Sequence, residues 1–180
     1  MNRKVILARG DYPYIEKLRA GSNCSVEIVP SCHYPRRPYA VLLDSPTADE
    51  LSDEIERATI LGIHTRIVVV SDPYLDIAVR TFCRAVVSVR SDEGAEGIVR
   101  AVTGRRSSLI NLDERELALI SRMRQGPTNK ELSLSMSVSE RTIRRIKEGI
   151  FRKTGLVSGE QLAVLSVYLD QYSQLLTYLG

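Results

Sequence analysis

The stretch Ser139-Glu140-Arg141-Thr142-Ile143-Arg144-Arg145-Ile146-Lys147-Glu148-Gly149-Ile150-Phe151-Arg152-Lys153 decides how this chain is read. At about 100° per residue, Ile143, Ile146 and Ile150 fall on one face of a helix. Arg141, Arg144, Arg145, Glu148 and Arg152 fall on the opposite face. Ser139 suits the N-cap, because its hydroxyl can accept from an orphan amide one turn on. One face is built to hold the helix to a core, and the other offers four guanidinium groups. Such a helix fits a major groove.

The preceding residues predict its partner. Arg115 to Arg124 reads as a helix with Leu117, Ile120 and Leu119 facing inward, stopped by Gly126-Pro127. Thr128 then caps a short helix, with Glu131 three residues on completing a capping box. Leu132 and Met136 share a face of that helix, Val138-Ser139 makes the turn, and the basic helix follows. Two short helices joined by a tight turn, the second one basic, form a helix-turn-helix.

Four segments together carry a family resemblance. They are Leu112-x-x-Arg115-Glu116, Gly126-x-x-Asn129-Lys130-Glu131-Leu132, Val138-Ser139-Glu140-x-Thr142-Ile143-Arg144 and Arg152-Lys153-x-Gly155-Leu156. Collinear and ungapped over 45 positions, they resemble the C-terminal effector domain of LuxR/NarL regulators. The resemblance implies that Arg144, Arg145 and Glu148 face base edges. Arg141 is placed to reach either a phosphate or a base edge. Asn129, Lys130, Thr142, Lys147, Arg152 and Lys153 are the expected contacts to the DNA backbone. Two positions depart from the family's usual pattern: Ile146 stands where a His is common, and Arg145 where an apolar residue is. A guanidinium at Arg145 prefers a different base.

Composition bounds the rest. The chain has 180 residues and a formal charge of +3, with room for one or two domains. No apolar run is long enough to span a bilayer, and the start is too quickly charged for a signal peptide. A cytoplasmic location and no membrane partner are therefore expected. Cys24, Cys32 and Cys83 are odd in number and lack zinc-site spacing, so free thiols, no metal and no cofactor are expected. No Gly-rich phosphate loop or nucleophile–base pair is visible, which argues against an enzyme. Up to Arg105 basic and acidic residues balance at 14 each; from Arg106 onward there are 11 basic and 8 acidic. A neutral domain followed by a locally basic one fits a regulatory module joined to a DNA reader.

The front half alternates short apolar runs with helical ones. Strands are predicted at 4–8, 25–29, 39–43, 65–71 and 85–89. Helices are predicted at 12–20, 48–61, 73–84 and 91–103, the last capped by Ser91. Alternation of this kind predicts an α/β fold with a parallel sheet, here in the flavodoxin-like strand order. The expected division is a receiver-like domain over 1–103, a flexible linker over 104–111, and the all-α helix-turn-helix domain over 112–180.

Followed by such an effector, the α/β half resembles a response-regulator receiver. The resemblance places Asp44 as the phosphoacceptor and Ser71 as the hydroxyl that contacts the phosphoryl group. The paired acids expected after the first strand are absent. That place reads Ala8-Arg9-Gly10, with Asp11 the nearest acid, and Arg90 stands where a lysine is expected after the fifth strand. Without carboxylates to hold Mg²⁺, a carboxylate nucleophile faces unrelieved repulsion from its phosphoryl donor. Arg9 would instead pair with Asp44 and imitate an occupied site. The expectation is an atypical receiver, not switched by Asp phosphorylation. The bland reading is a loop-capping Asp44 and a solvated Arg9.

Leu162, Leu165, Leu169, Tyr172, Leu176 and Leu179 are spaced 3, 4, 3, 4, 3, a heptad seam. The resemblance implies a dimerising helix here, so Leu165, Leu169, Tyr172, Leu176 and Leu179 are the expected contacts of a homodimer. The alternative is that the seam packs within its own chain. For the whole, a dimeric regulator binding double-stranded DNA leads. One alternative is a sigma-factor-like module, whose partner would be RNA polymerase. Another is a ligand-sensing regulator with Tyr12, Tyr14 and Tyr74 around a small-molecule site at the strand ends.

Overall fold

The computed structural model describes residues 4–9, 24–28, 40–60, 66–104 and 108–175. Two compact units emerge, one of residues 1–108 with the chain end from Gln174, the other of Leu109–Ser173.

The first unit is a five-stranded parallel sheet: β1 (Lys4–Arg9), β2 (Cys24–Ile28), β3 (Ala40–Asp44), β4 (Arg66–Ser71) and β5 (Val86–Arg90). Its order is β2-β1-β3-β4-β5, as the flavodoxin-like expectation has it. The runs are apolar on both faces because both are covered. Ile6, Ala8, Ala40, Leu42, Val68, Val70, Val87 and Val89 form one cluster with Ile98, Ala101 and Val102. Leu7, Val41, Leu43, Ile67 and Val69 alternate with them along the strands and are equally buried.

Three described helices follow the strands: α1 (Ala48–Ile60), α2 (Pro73–Phe82) and α3 (Gly94–Thr103). On α1, Leu51 and Ile55, one turn apart, are buried, and Glu54 is buried between them. Asp72 caps α2, accepting from the amides of Tyr74 and Leu75, with Pro73 in the first turn. Ser91 does not cap the last helix. Ser91–Glu93 forms a 3₁₀ turn instead, and α3 starts at Gly94, whose φ of 61° suits a residue without Cβ. The helix predicted at 12–20, with Asp11, Tyr12 and Tyr14, lies outside the described residues, as do Cys32, His33 and His64.

Two described positions of the expected linker, Gly104 and Ser108, accept hydrogen bonds from the first unit. Arg66 donates through one guanidinium nitrogen to the carbonyls of Ala101, Val102 and Gly104, closing the C-terminus of α3. Arg80 donates to the Ser108 carbonyl at 2.8 Å and hydroxyl at 2.9 Å while pairing with the buried Asp76 at 3.1 Å. Charged donors on carbonyls make the stronger class of hydrogen bond.

The second unit holds α4 (Glu114–Arg122), α5 (Asn129–Ser135), α6 (Glu140–Thr154) and α7 (Gly159–Tyr172). Each starts at a side-chain cap: Asp113, Thr128, Ser139 and Ser158. Gly126 and Gly155 end their elements in the left-handed region at φ 65° and 76°. Leu112, Leu119, Ile120, Met123, Leu132, Ile143, Ile150, Leu156, Leu162 and Leu165 are buried. The expectation for α7 needs correcting. Leu165 is 0%, Leu169 6% and Tyr172 5% exposed, so the heptad seam packs within the chain. Val164, on the other side of the helix, is 42% exposed. The seam satisfies the core of a single chain, because α7 lies against α4 and the 3₁₀ turn at Met123–Gln125. Leu176 and Leu179 lie outside the described residues.

Candidate nucleic-acid interface

The interface is built around α6. Ser139 Oγ accepts from the Thr142 amide at 3.2 Å and shares a hydrogen bond of 2.9 Å with the Thr142 hydroxyl. The helix therefore starts cleanly after the turn at Ser137, which takes a φ of 54°. Ile143 and Ile150 are fully buried and Ile146 is half-buried, so the predicted apolar face is the one that docks. Arg141, Arg144, Arg145, Glu148 and Arg152 are all exposed on the opposite face. Of these, Arg144 makes one loose contact with Glu140, at 3.9 Å and one turn back. Exposed pairs of this kind contribute little, so the guanidinium stays available.

On one flank Arg115, Arg145, Gly149, Arg152 and Glu116 line a groove of about 530 Å³ between the start of α4 and α6. Arg115 belongs to the quoted family segment but not to the expected DNA contacts. Its signal is its place beside Glu116 in the capping box of α4, one residue from a buried carboxylate that packs against α6.

Three of the expected phosphate contacts, Lys153, Lys147 and Asn129, are engaged inside the unit. Lys153 Nζ donates to Glu116 Oε2 at 2.6 Å, and the Glu116 side chain is 7% exposed. The same oxygen accepts from the Asp113 amide at 2.8 Å. Gly149 allows this approach, since a Cβ there would come within 3.1 Å of Glu116 Oε1. On the other flank Lys147 is half-buried and its Nζ donates to Asn129 Oδ1 at 2.8 Å. Burial pulls the Lys147 ammonium below its ordinary pKa. Asn129 and Lys147 are thus bonded to each other, and Lys153 to a carboxylate. Lys130 is exposed at the start of α5, and Thr142 is half-exposed at the start of α6.

Of the pocket expected around Asp44, Asp44 and Ser71 are described with their side chains and Arg9 by its backbone. Asp44 is exposed at the C-terminal end of β3 and accepts from the Ser45 hydroxyl at 3.1 Å. Ser71 ends β4 fully buried, and its hydroxyl turns to β5: it bonds Ser88 Oγ at 3.0 Å and the Val89 carbonyl at 3.3 Å. It therefore does not serve as a free hydroxyl beside Asp44. Arg90, at the end of β5, forks onto Asp92 at 3.0 and 2.6 Å. Asp92 also raises the Arg90 pKa, through the hydrogen bond and then by charge. Arg9 ends β1, and its backbone pairs in register with Leu43, the residue before Asp44. Among the described residues no group of three His, Cys, Asp or Glu could hold a metal, and no helix is long and apolar enough to cross a membrane.

Comparison with known proteins adds to this geometry. Residues 111–166 match the family of bacterial regulatory proteins, luxR family. No curated protein matches the chain significantly in sequence. Among solved structures, two RcsB dimers bound to two parallel DNAs give a TM-score of 0.54 at 14% identity, over 94% of this chain and 99% of that one. The RcsB response regulator of Salmonella typhimurium matches at 0.47 and 17% identity, over 90% and 98% of the two chains. The response regulator ChrA of a heme-sensing two-component system matches at 0.37 and 18%, over 95% and 100%. The first of these shows a shared fold. Residues 111–166 of this chain thus form a LuxR-family helix-turn-helix domain, and the chain shares the fold of the RcsB structure.

Proposed function

We propose that this chain is a sequence-specific DNA-binding transcription regulator that acts as a dimer, and that its receiver-like unit is not switched by aspartyl phosphorylation. One observation carries the reading: α6 buries Ile143 and Ile150 completely and leaves Arg141, Arg144, Arg145 and Arg152 exposed opposite them. Arg144 and Arg145 can each fork onto the O6 and N7 of a guanine, worth about 1–3 kcal/mol of discrimination apiece. Glu148 lies between them and Arg152 and can accept from a cytosine amine. Arg141, Arg152 and Lys130 are free to meet phosphates, which makes affinity salt-dependent.

Dimerisation is assigned to the outward side of α7, where Ala163, Val164 and Val167 form a small apolar stripe opposite the buried seam. A short helix offering such a stripe can pair with its own copy across a two-fold axis. RcsB is named as a dimer on DNA in the structure that shares this fold. The reading of the first unit is supported by the Arg9 backbone in register with Leu43, the residue before Asp44, by Ser71 bonded to β5 and by Arg90 held by Asp92.

Selection of bound duplexes from a random library at about 0.15 M salt tests the whole. Enrichment of an inverted repeat, with half-sites about one helical turn apart, is the expected result. Binding that disappears as salt rises, with nothing enriched, overturns it. Incubation with a small phosphoryl donor and Mg²⁺, followed by peptide mass spectrometry, tests the receiver; a covalent adduct on Asp44 refutes that part.

A further inference from the structure

We infer that Lys147 is a positioning residue of the DNA-reading helix and not one of its phosphate contacts: its bond to Asn129 fixes the roll of α6 against α5. This rests on the DNA-reading role proposed above. The ammonium donates to Asn129 Oδ1 at 2.8 Å, and Asn129 is the first residue of α5. Lys147 follows Ile143 by one turn and precedes Ile150 by one, and both are fully buried. Its stem therefore runs along the edge of the apolar face, and its charged head is spent on the partner helix. The depressed pKa of the ammonium agrees with that placement. Lys153 makes the matching tether to Glu116 on the opposite flank. One tether on each side of the docked face resists rotation in both senses.

Roll matters because base contacts are short. A helix with its side chains is about 5–6 Å in radius, so a roll of about 20° moves a side chain by about 2 Å. Extended arginines move further. A hydrogen bond does not survive such a displacement. Weakening the tether should therefore blur base reading while leaving the number of neutralised phosphates unchanged.

The test uses the full chain and the duplex selected above, with affinity for that duplex and for an unrelated one measured across a salt series. Lys147→Met is expected to lower the ratio of specific to non-specific affinity about ten-fold, with the slope of log K against log salt unchanged. Lys130→Met, at an exposed lysine, should lower that slope by about 0.9 and keep the ratio. Asn129→Leu should reproduce Lys147→Met, the double variant should be no worse than either, and Asn129→Asp, which keeps the acceptor, should keep the ratio. A Lys147→Met chain whose slope falls by about 0.9 while its ratio holds would overturn the inference. If the wild type reads no duplex at all, the proposed function fails by itself. The tether is then judged by hydrogen exchange of α6 in the same four-variant cycle: a coupling of about five-fold in exchange supports it, and additive effects overturn it.

Discussion

Lys153→Met should destabilise the second unit more than Glu116→Gln does, although both remove the same ion pair. The asymmetry follows from burial. The Glu116 side chain is 7% exposed and the Lys153 side chain 34%. Removing the lysine strands a carboxylate in the core, with the Asp113 amide as its remaining described donor. Stranding one partner of a fully buried pair costs about 3–5 kcal/mol. The exposed third of Lys153 means part of this charge was already screened, so about 2 kcal/mol is a fair figure. Glu116→Gln leaves an acceptor for the Asp113 amide, and the released ammonium can swing to water. Its cost should be about 0.5–1 kcal/mol, that of an ordinary hydrogen bond. The double variant, with neither charge, should recover most of the loss. Hydrogen exchange of the α6 amides reads this directly, since about 2 kcal/mol corresponds to about thirty-fold faster exchange. Equal effects from the two single variants, or a larger one from Glu116→Gln, would refute the argument that burial of Glu116 sets the cost.

Three further outcomes are expected. Arg145→Ala should lose about 1–3 kcal/mol of discrimination at one base pair of the selected duplex and leave the others unchanged, as binding to single-substitution duplexes will show. Gly155→Ala should cost about 1 kcal/mol in urea unfolding, because its φ is 76° and a Cβ there meets nothing within 4 Å, so backbone strain acts alone. The backbone and then the hydroxyl of Thr128 hold the Glu131 carboxyl below its usual pKa. That contribution is present above the unfolded carboxyl pKa and is lost as pH falls through the lower folded value. Thr128→Ala should therefore flatten the acid dependence of stability below the usual carboxylate range and leave the neutral-to-alkaline dependence unchanged, measured by urea midpoints across pH.

What the sequence by itself determined was local. Capping at Thr128 and Ser139, the apolar face of α6 and the alternation behind the β2-β1-β3-β4-β5 sheet all depend on neighbours within about one turn or on strand period. The four exposed arginines were legible for the same reason: their face is set by helix periodicity, whatever the core around them. Tertiary structure decided which of these features were already engaged. The bond from Lys147 to Asn129 spans 18 positions, and that from Lys153 to Glu116 spans 37. No pattern within one helix distinguishes a lysine bound to a partner helix from one free to meet a phosphate. The heptad seam of α7 failed in the same way. Period shows that Leu165, Leu169 and Tyr172 share a face, but whether that face meets a second copy or its own core depends on where α4 lies, and α4 was waiting there.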